Sequence, residues 1–77
     1  MEELLKRITF NQDVLCGKAT IRNLRISVAM ILELLAKGAK FEDILEDYPE
    51  LEAKDIEAAL IYAHYLVSHE NVLEKVG

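Results

Sequence analysis

The stretch of sequence that decides the fold is residues 27–38, Ser27-Val28-Ala29-Met30-Ile31-Leu32-Glu33-Leu34-Leu35-Ala36-Lys37-Gly38. Four of its apolar residues are spaced as i, i+3, i+4 and i+7, which places them on one face of a helix: Val28, Ile31, Leu32 and Leu35. Ser27 suits the N-cap, because its hydroxyl can accept a hydrogen bond from a free backbone N–H of the first turn. Gly38 can adopt the left-handed conformation at which helices often end. The pattern predicts a helix over residues 28–37.

Two further helices are predicted downstream. Phe41, Ile44, Leu45 and Tyr48 repeat the same spacing, and Pro49 ends that helix because the residue before a proline avoids helical angles. A third helix is predicted from Ala53 to about Ser68, with one face formed by Ile56, Ala59, Leu60, Ala63 and Val67. The short connection between the second and third helices is typical of a helix-turn-helix.

The sequence before residue 27 favours short strands. Ile8-Thr9-Phe10 is rich in β-formers, and Asn11-Gln12-Asp13 is a turn-type cluster. Arg22-Asn23 lies between two strand-like segments, residues 18–21 and 24–28. This arrangement predicts a tight hairpin, because Asn tolerates left-handed backbone angles. An isolated hairpin is only marginally stable in water, so it should pack on the helices or pair with a second chain. We therefore predict a mostly helical α+β fold, with a short N-terminal β-hairpin or sheet and three helices.

Length and composition limit the class of protein. The chain has 77 residues, 52% of them apolar and 30% charged, as expected for one globular domain. We expect a single domain over residues 1–69 and a short tail over residues 70–77. No apolar run approaches the ~18 residues that span a membrane, and the first residues do not form a signal peptide. A single cysteine suits a reducing compartment, so we expect a cytoplasmic protein.

Charge is distributed unevenly along the chain. Residues 1–40 contain seven Lys and Arg against four Asp and Glu, a balance of +3. Residues 41–77 contain two bases against ten acids, a balance of −8. Such a split suggests that the two ends meet different partners. The alternative is an acidic, solvated surface that keeps a small domain soluble.

Residue types that carry out catalysis are present, but their spacing does not favour a catalytic or metal site. Cys16 has no His close to it in sequence, and a nucleophilic Cys needs a neighbouring base. His64 and His69 are five residues apart, so on a helix their rings diverge by ~140° and cannot share a metal ion. Gly17-Lys18-Ala19-Thr20 lacks the Lys-Ser/Thr pair of a phosphate-binding loop. We therefore expect no enzyme, cofactor, metal site or small-molecule substrate.

The predicted helix-turn-helix is poorly suited to bind DNA in the usual pose. Its second helix would enter the major groove with its first residues, and residues 52–57 contain three acids and one base. DNA binding depends on Lys and Arg contacts to the phosphates. If DNA is bound, better candidates are the bases of the hairpin, doubled across a dimer as in β-ribbon proteins: Lys18, Arg22 and Arg25. The alternative for these three residues is plain surface charge.

The third predicted helix is apolar on almost every side over residues 60–67. Such a helix is normally buried all round, and a chain of this length has too little mass to bury it alone. Tyr is also enriched at interfaces. The residues that we expect to bind a partner are Tyr62, Tyr65 and Leu66 in the helix and Val72, Leu73 and Val76 in the tail. The alternative for the helix is burial in the chain's own core.

Several segments of the chain together resemble the domain-of-unknown-function 433 family. The first segments are Ile8-Thr9-Phe10-Asn11, Cys16-Gly17-Lys18, Ile21-Arg22, Arg25-Ile26, Val28, and residues 31–36 with Gly38. The later segments are residues 44–51, Asp55-Ile56, Ala58-Ala59-Leu60 and Tyr62-Ala63. The resemblance spans roughly residues 8–66, and its most specific parts are Asp47-Tyr48-Pro49 and Arg25-Ile26. The chain departs from the family at Asn23-Leu24, where Gly-Thr is usual.

This resemblance implies a winged-helix-like fold and a role similar to that of VapB-type antitoxins, which are often encoded beside PIN-like toxin ribonucleases. We therefore expect a homodimer that binds and inhibits such a toxin without catalysis, and that regulates its own synthesis by binding DNA. Tyr65 and the apolar tail residues would anchor in the toxin, while Glu70 and Glu74 would meet basic groups near its RNA-binding cleft. The alternatives are a DNA-binding transcriptional regulator without a toxin, and a structural dimer module.

Overall fold

The computed structural model describes residues 2–68, which form four α-helices and a two-stranded antiparallel sheet. The elements in chain order are α1 (Glu2–Leu5), β1 (Ile8–Phe10), β2 (Ala19–Ile21), α2 (Val28–Ala36), α3 (Phe41–Asp47) and α4 (Ala53–Ser68), with a 3-10 turn at Leu15–Gly17. The predicted α+β class is confirmed. The short helix α1 was not predicted; its Glu2 and Glu3 lie in the first turn, where the helix dipole favours negative charge. The predicted domain boundary at residue 69 and the tail lie outside the described residues.

The sheet pairs β1 with β2, and the predicted hairpin around Arg22-Asn23 is only partly formed. The antiparallel register places Ile8 opposite Ile21 and Phe10 opposite Ala19. The tight turn itself is present: the Leu24 N–H donates to the Ile21 carbonyl at 2.7 Å.

Both central residues of this turn have positive φ, 45° at Arg22 and 60° at Asn23, as a type I′ turn requires. The returning arm, residues 24–28, does not form the predicted strand. It makes a single bridge, from Ser27 to Thr20. The reason is that Ser27 already begins the next helix, so the chain leaves the sheet after one bridge.

Both ends of α2 match the sequence prediction. The Ser27 hydroxyl accepts a hydrogen bond from the Met30 N–H at 3.0 Å. At the other end Gly38 has φ 100°, and the N–H groups of Gly38 and Ala39 donate to the carbonyls of Leu35 and Leu34 at 3.0 Å. This is the Schellman arrangement, which stops a helix by satisfying its last carbonyl groups.

The helices α3 and α4 also lie where the sequence predicted them, joined by residues 48–52. The backbone N–H of Lys40, which precedes α3, donates to Asp43 Oδ2 at 2.9 Å. An acid in the first turn therefore caps the N-terminal end of the helix, as in a capping box. Pro49 follows the end of α3, and α4 begins at Ala53 and extends to Ser68, as predicted.

The core lies where the sheet, α2, α3 and the first half of α4 meet. Its buried apolar residues are Ile8, Ile21, Ile26, Val28, Ile31, Ile44, Leu51, Ile56, Ala58 and Ala59. The face predicted for the third helix was partly wrong: Ile56 and Ala59 are buried, but Leu60 is 42% and Val67 63% exposed. The second half of α4 therefore extends beyond the core that buries the first half. No helix within residues 2–68 is long and apolar enough to cross a membrane.

Candidate functional site

Asp55 is a buried carboxylate in the first turn of α4, and its side chain is 0% exposed. Its Oδ1 accepts hydrogen bonds from Arg7 Nη1 at 2.8 Å and from Arg22 Nε at 3.1 Å. Its Oδ2 accepts from Arg22 Nη2 at 2.8 Å and from the backbone N–H of Glu52 at 2.8 Å. The last of these bonds closes the first turn of α4 in the manner of a capping box.

The surroundings of Asp55 keep it ionised. Burial by itself would raise the pKa of this carboxyl, but the hydrogen bonds from Arg22, from the Glu52 N–H and from Arg7 outweigh burial and lower the pKa below its usual value. The pKa of Arg7 is raised chiefly by its hydrogen bond to Glu52, and that of Arg22 by its hydrogen bond to Asp55. A carboxylate held in this way does not suit general acid–base catalysis.

This ion-pair cluster joins three separated parts of the chain. Arg7 precedes β1, Arg22 lies in the turn after β2, and Asp55 opens α4. Arg22 Nη2 also donates to the backbone carbonyl of Glu50 at 2.8 Å, and Arg7 Nη1 donates to Glu52 Oε1 at 2.6 Å. Part of the uneven charge is therefore neutralised within the domain. Without these two bases and two acids, residues 1–40 carry +1 and residues 41–77 carry −6.

An open groove of about 330 Å³ lies between β2, α2 and the second half of α4. Its lining is mostly apolar or aromatic: Ala19, Val28, Ala29, Leu32, Tyr62 and Leu66. Lys18 and Ser27 also line it, and Lys18 is the single charged side chain that residues 2–68 contribute to the groove. The groove is suited to an apolar surface rather than to a charged ligand.

Phe10 extends the apolar area beside this groove. It is 61% exposed, and it lies opposite the groove residue Ala19 across the sheet. Its ring also packs against that of Tyr62, with the centroids 6.0 Å apart. Leu66, which lines the groove one turn after Tyr62, is 52% exposed. Phe10 and Leu66 therefore extend the apolar lining of the groove onto the exposed surface beside it.

A second surface is acidic. Apart from Glu52, which is exposed but pairs with Arg7, six carboxylates on α3, on the turn that follows it and on the start of α4 are exposed: Glu42, Asp43, Glu46, Asp47, Glu50 and Glu57. Lys54 is the one Lys or Arg in residues 41–68. Within residues 2–68 none of the six carboxylates takes part in an ion pair. We refer to these six residues as the acidic surface.

The structure brings together some of the residues that the sequence analysis assigned to a partner. Tyr62 and Leu66 line one groove, whereas the half-buried Tyr65 packs its ring against the ring of His64 at 5.5 Å. The other three predicted partner residues, Val72, Leu73 and Val76, lie outside the described residues.

The three bases assigned to DNA have different surroundings. Lys18 is exposed at the groove, and Arg25 is exposed on the segment that leads into α2. Arg22 directs its guanidinium to Asp55 and to the carbonyl of Glu50. Arg22 is therefore already occupied by contacts within the domain.

Sequence reasoning missed the cluster around Asp55 and part of the groove. The position of Asp55, three residues after the residue that precedes the helix, was a usable signal, because an acid there can close a capping box. Nothing in the sequence paired it with Arg7 or Arg22. Ala29 was missed because its small side chain gives no sign of a groove wall. Within residues 2–68 no three His, Cys, Asp or Glu side chains are grouped so that they could hold a metal ion.

Comparisons with known proteins agree with this fold. The family described as "Protein of unknown function (DUF433)" matches residues 8–63. A solved structure, the crystal structure of a DUF433 member protein from Anabaena variabilis ATCC 29413, is similar with a TM-score of 0.70 and 31% sequence identity, and the match covers 96% of this chain and 70% of that one. No curated protein matches this chain significantly. The chain belongs to the DUF433 family.

Proposed function

We propose that this chain is a non-catalytic, antitoxin-like protein that binds and inhibits a PIN-like toxin ribonuclease through its acidic surface. The observation that carries the proposal is the position of Glu46 and Asp47 at the end of α3, in a last turn without a basic residue. The C-terminal end of a helix carries partial negative charge, so a carboxylate there costs about 0.3–1 kcal/mol. Helix stability therefore does not account for the position of these two acids, whereas binding to a basic partner does.

The chemistry of a ribonuclease matches this surface. Proteins that bind nucleic acid contact its phosphates mainly through Lys and Arg side chains. Six exposed carboxylates with two nearby lysines, Lys40 and Lys54, present the opposite charge, which favours rapid association and opposes acidic partners. The ion-pair cluster supports the same surface, because Asp55 and Glu52 hold the start of α4 against Arg7 and Arg22.

The proposal retains the winged-helix-like arrangement, with α3 and α4 as the helix-turn-helix and the sheet with its turn as the wing. Binding to an operator by a dimer would then use Lys18 and Arg25, because Arg22 is occupied by Asp55. The acids at the start of α4 oppose the major-groove pose. The distribution of charge therefore favours toxin binding over DNA binding. It also favours an antitoxin over the two alternatives, a regulator without a toxin and a purely structural dimer.

Reversal of two charges tests the proposal. We expect Glu46→Lys combined with Asp47→Lys to weaken binding to a PIN-like nuclease encoded beside this chain by tenfold or more, because like charges would face its basic cleft. The same change removes acids from the negative end of α3, so we expect thermal stability to stay equal or to rise slightly. Isothermal titration calorimetry and an RNA-cleavage assay would measure affinity and inhibition.

Asp13→Lys is the matched control, because Asp13 is also exposed but lies in the turn after β1, away from α3 and α4. It should retain full affinity. If the double variant bound and inhibited the nuclease as tightly as the unmodified chain, the acidic surface would not be the binding site.

A further inference from the structure

The two halves of α4 are held in the fold by contacts of very different strength. The first half contributes three buried apolar residues to the core and is also held by the ion-pair cluster around Asp55. None of residues 60–68, the second half, is fully buried. Within the part of the chain that the structure describes, Tyr62 is the one apolar side chain of the second half that packs against the buried core. The position of the second half therefore depends mainly on one anchoring side chain.

The second half of α4 also has little stability of its own as a helix. Most of residues 60–68 are β-branched, aromatic, His or Ser, and these residue types favour a helix less than Ala or Leu does. The segment contains no Asp, Glu, Lys or Arg, so it has neither an internal ion pair nor a base in its last turn to complement the helix dipole. Isolated helices shorter than about 12 residues are marginal in water. Contacts with the rest of the domain must therefore keep this half in place.

The strand β1 runs beside α4 and contacts it at both ends. At its start, Arg7 donates to the buried Asp55 carboxylate at 2.8 Å. At its end, the Phe10 ring meets the Tyr62 ring, with the centroids 6.0 Å apart and the planes tilted by 59°. Tilted aromatic pairs at this distance are favourable, but Phe10 is 61% exposed, so this contact is open to water. The first contact is strong and buried, whereas the second is weak and exposed.

We propose that the second half of α4 detaches from the sheet and from α2 in an opening that leaves the rest of the domain folded, and that the contact between Phe10 and Tyr62 is the latch that closes it. Ala59 marks the boundary, because it is the last fully buried residue of the helix. Opening removes the wall of the groove that Tyr62 and Leu66 form, and it exposes the apolar walls on α2 and β2. Local openings of this kind need less free energy than unfolding of the whole domain.

Hydrogen exchange of the full chain, followed residue by residue by NMR, tests this opening. In an α-helix the N–H groups of residues 64–67 donate to carbonyls 60–63, so their exchange reports on the second half, whereas residues 57–60 report on the first. We expect residues 64–67 to exchange about 100-fold faster than residues 57–60. Low urea concentrations should hardly change the faster rates, because a local opening exposes little surface. The slower rates should rise steeply with urea.

Asp55→Asn separates the two halves, because it weakens the cluster that holds only the first. It should raise the exchange rates of residues 57–60 by about tenfold or more and leave those of residues 64–67 unchanged, since Asp55 keeps its surroundings when only the second half opens. Equal rates in the two halves, or rates in both halves that respond alike to urea and to this substitution, would show that α4 opens as one unit and would overturn the proposal.

Phe10→Ala tests the latch. It should raise the exchange rates of residues 64–67 by about two- to tenfold, because it removes the aromatic contact but leaves the sequence of α4 intact. Leu60→Ala is the matched control, since Leu60 is 42% exposed and neither packs against the core nor lines the groove. It should not raise these rates. Unchanged rates in Phe10→Ala, or an equal rise in Leu60→Ala, would rule out the latch. The acidic surface ends at Glu57, in the half that stays in place, so this opening and nuclease binding are separate properties of the chain.

Discussion

At the scale of single residues, Asp55 is the side chain on which the structure depends most. It has no exposed surface, and two guanidinium groups and a backbone N–H surround it. Removing one member of a buried ion pair leaves the others without partners, which usually costs more than the pair itself contributes. The side chains of Arg7 and Arg22 are 25% and 38% exposed, so water can partly solvate their guanidinium groups when Asp55 is replaced.

We expect Asp55→Asn to lower the free energy of unfolding by about 2–3 kcal/mol near neutral pH, because charge-assisted hydrogen bonds to both arginines become weaker. The pKa of Asp55 is lowered in the folded state, so the unfolded state binds more protons and the stabilisation is present above the unfolded pKa of about 3.9. The difference between variant and unmodified chain should shrink as the pH falls below that value and through the folded pKa. Urea unfolding at a series of pH values would measure it.

Asp47→Asn serves as the control for this experiment, because Asp47 is exposed and has no ion pair within the described residues. Its effect on the unfolding free energy should stay within about 0.5 kcal/mol. A similar loss of stability in both variants, or a difference that did not change with pH, would contradict the role assigned to the Asp55 carboxylate.

At the scale of the elements, the helices were predictable because the signals that begin and end them are local. Ser27, Gly38 and Pro49 act on residues within one turn, and each lies at the helix end that it predicted. The sheet was less predictable. The turn at Arg22-Asn23 was recognised, but the partner of β2 is β1, so that Ile21 pairs with Ile8, 13 residues earlier, across a loop.

The candidate site was predictable only where a pattern along one helix revealed it. Tyr62 and Leu66 were identified because residues 60–67 are apolar all round, which one domain of this size cannot bury. The cluster depends on pairs that are 33 and 48 residues apart in sequence. Contacts at such separations are set by how the elements pack, so neither spacing nor composition contains them.

Ser27 offers a prediction at the scale of an element, since it begins α2 and ends the contact with the sheet. We expect Ser27→Ala to lower the free energy of unfolding by about 1 kcal/mol, because the Met30 N–H loses its side-chain acceptor. Ser27→Asp should retain most of the stability, since Asp caps a helix about as well as Ser. Chemical denaturation would measure both variants. An alanine variant as stable as the unmodified chain would show that the cap contributes nothing.

At the scale of the whole molecule, the domain separates two kinds of surface. The acidic surface lies on α3, the turn after it and the first half of α4, and the groove lies between β2, α2 and the second half of α4. The single helix α4 takes part in both, with charged residues in its first turns and no Asp, Glu, Lys or Arg after Glu57 within the described residues. The two surfaces are therefore separate along α4, one of them charged and the other apolar.

Salt should therefore affect nuclease binding and the predicted homodimer differently. The Debye length shrinks from about 10 Å at 0.1 M salt to about 3 Å at 1 M, so we expect the rate at which the chain associates with a PIN-like nuclease to fall by tenfold or more over that range. The dimer should keep its mass, because burial of apolar surface is not screened by salt. Stopped-flow fluorescence would measure the association rate, and sedimentation would measure the mass of the dimer. The Glu46→Lys, Asp47→Lys variant should show a shallower salt dependence of the association rate. An association rate that did not respond to salt would contradict the role of charge in nuclease binding. A dimer that dissociated in 1 M salt would contradict the role of apolar burial in dimer formation.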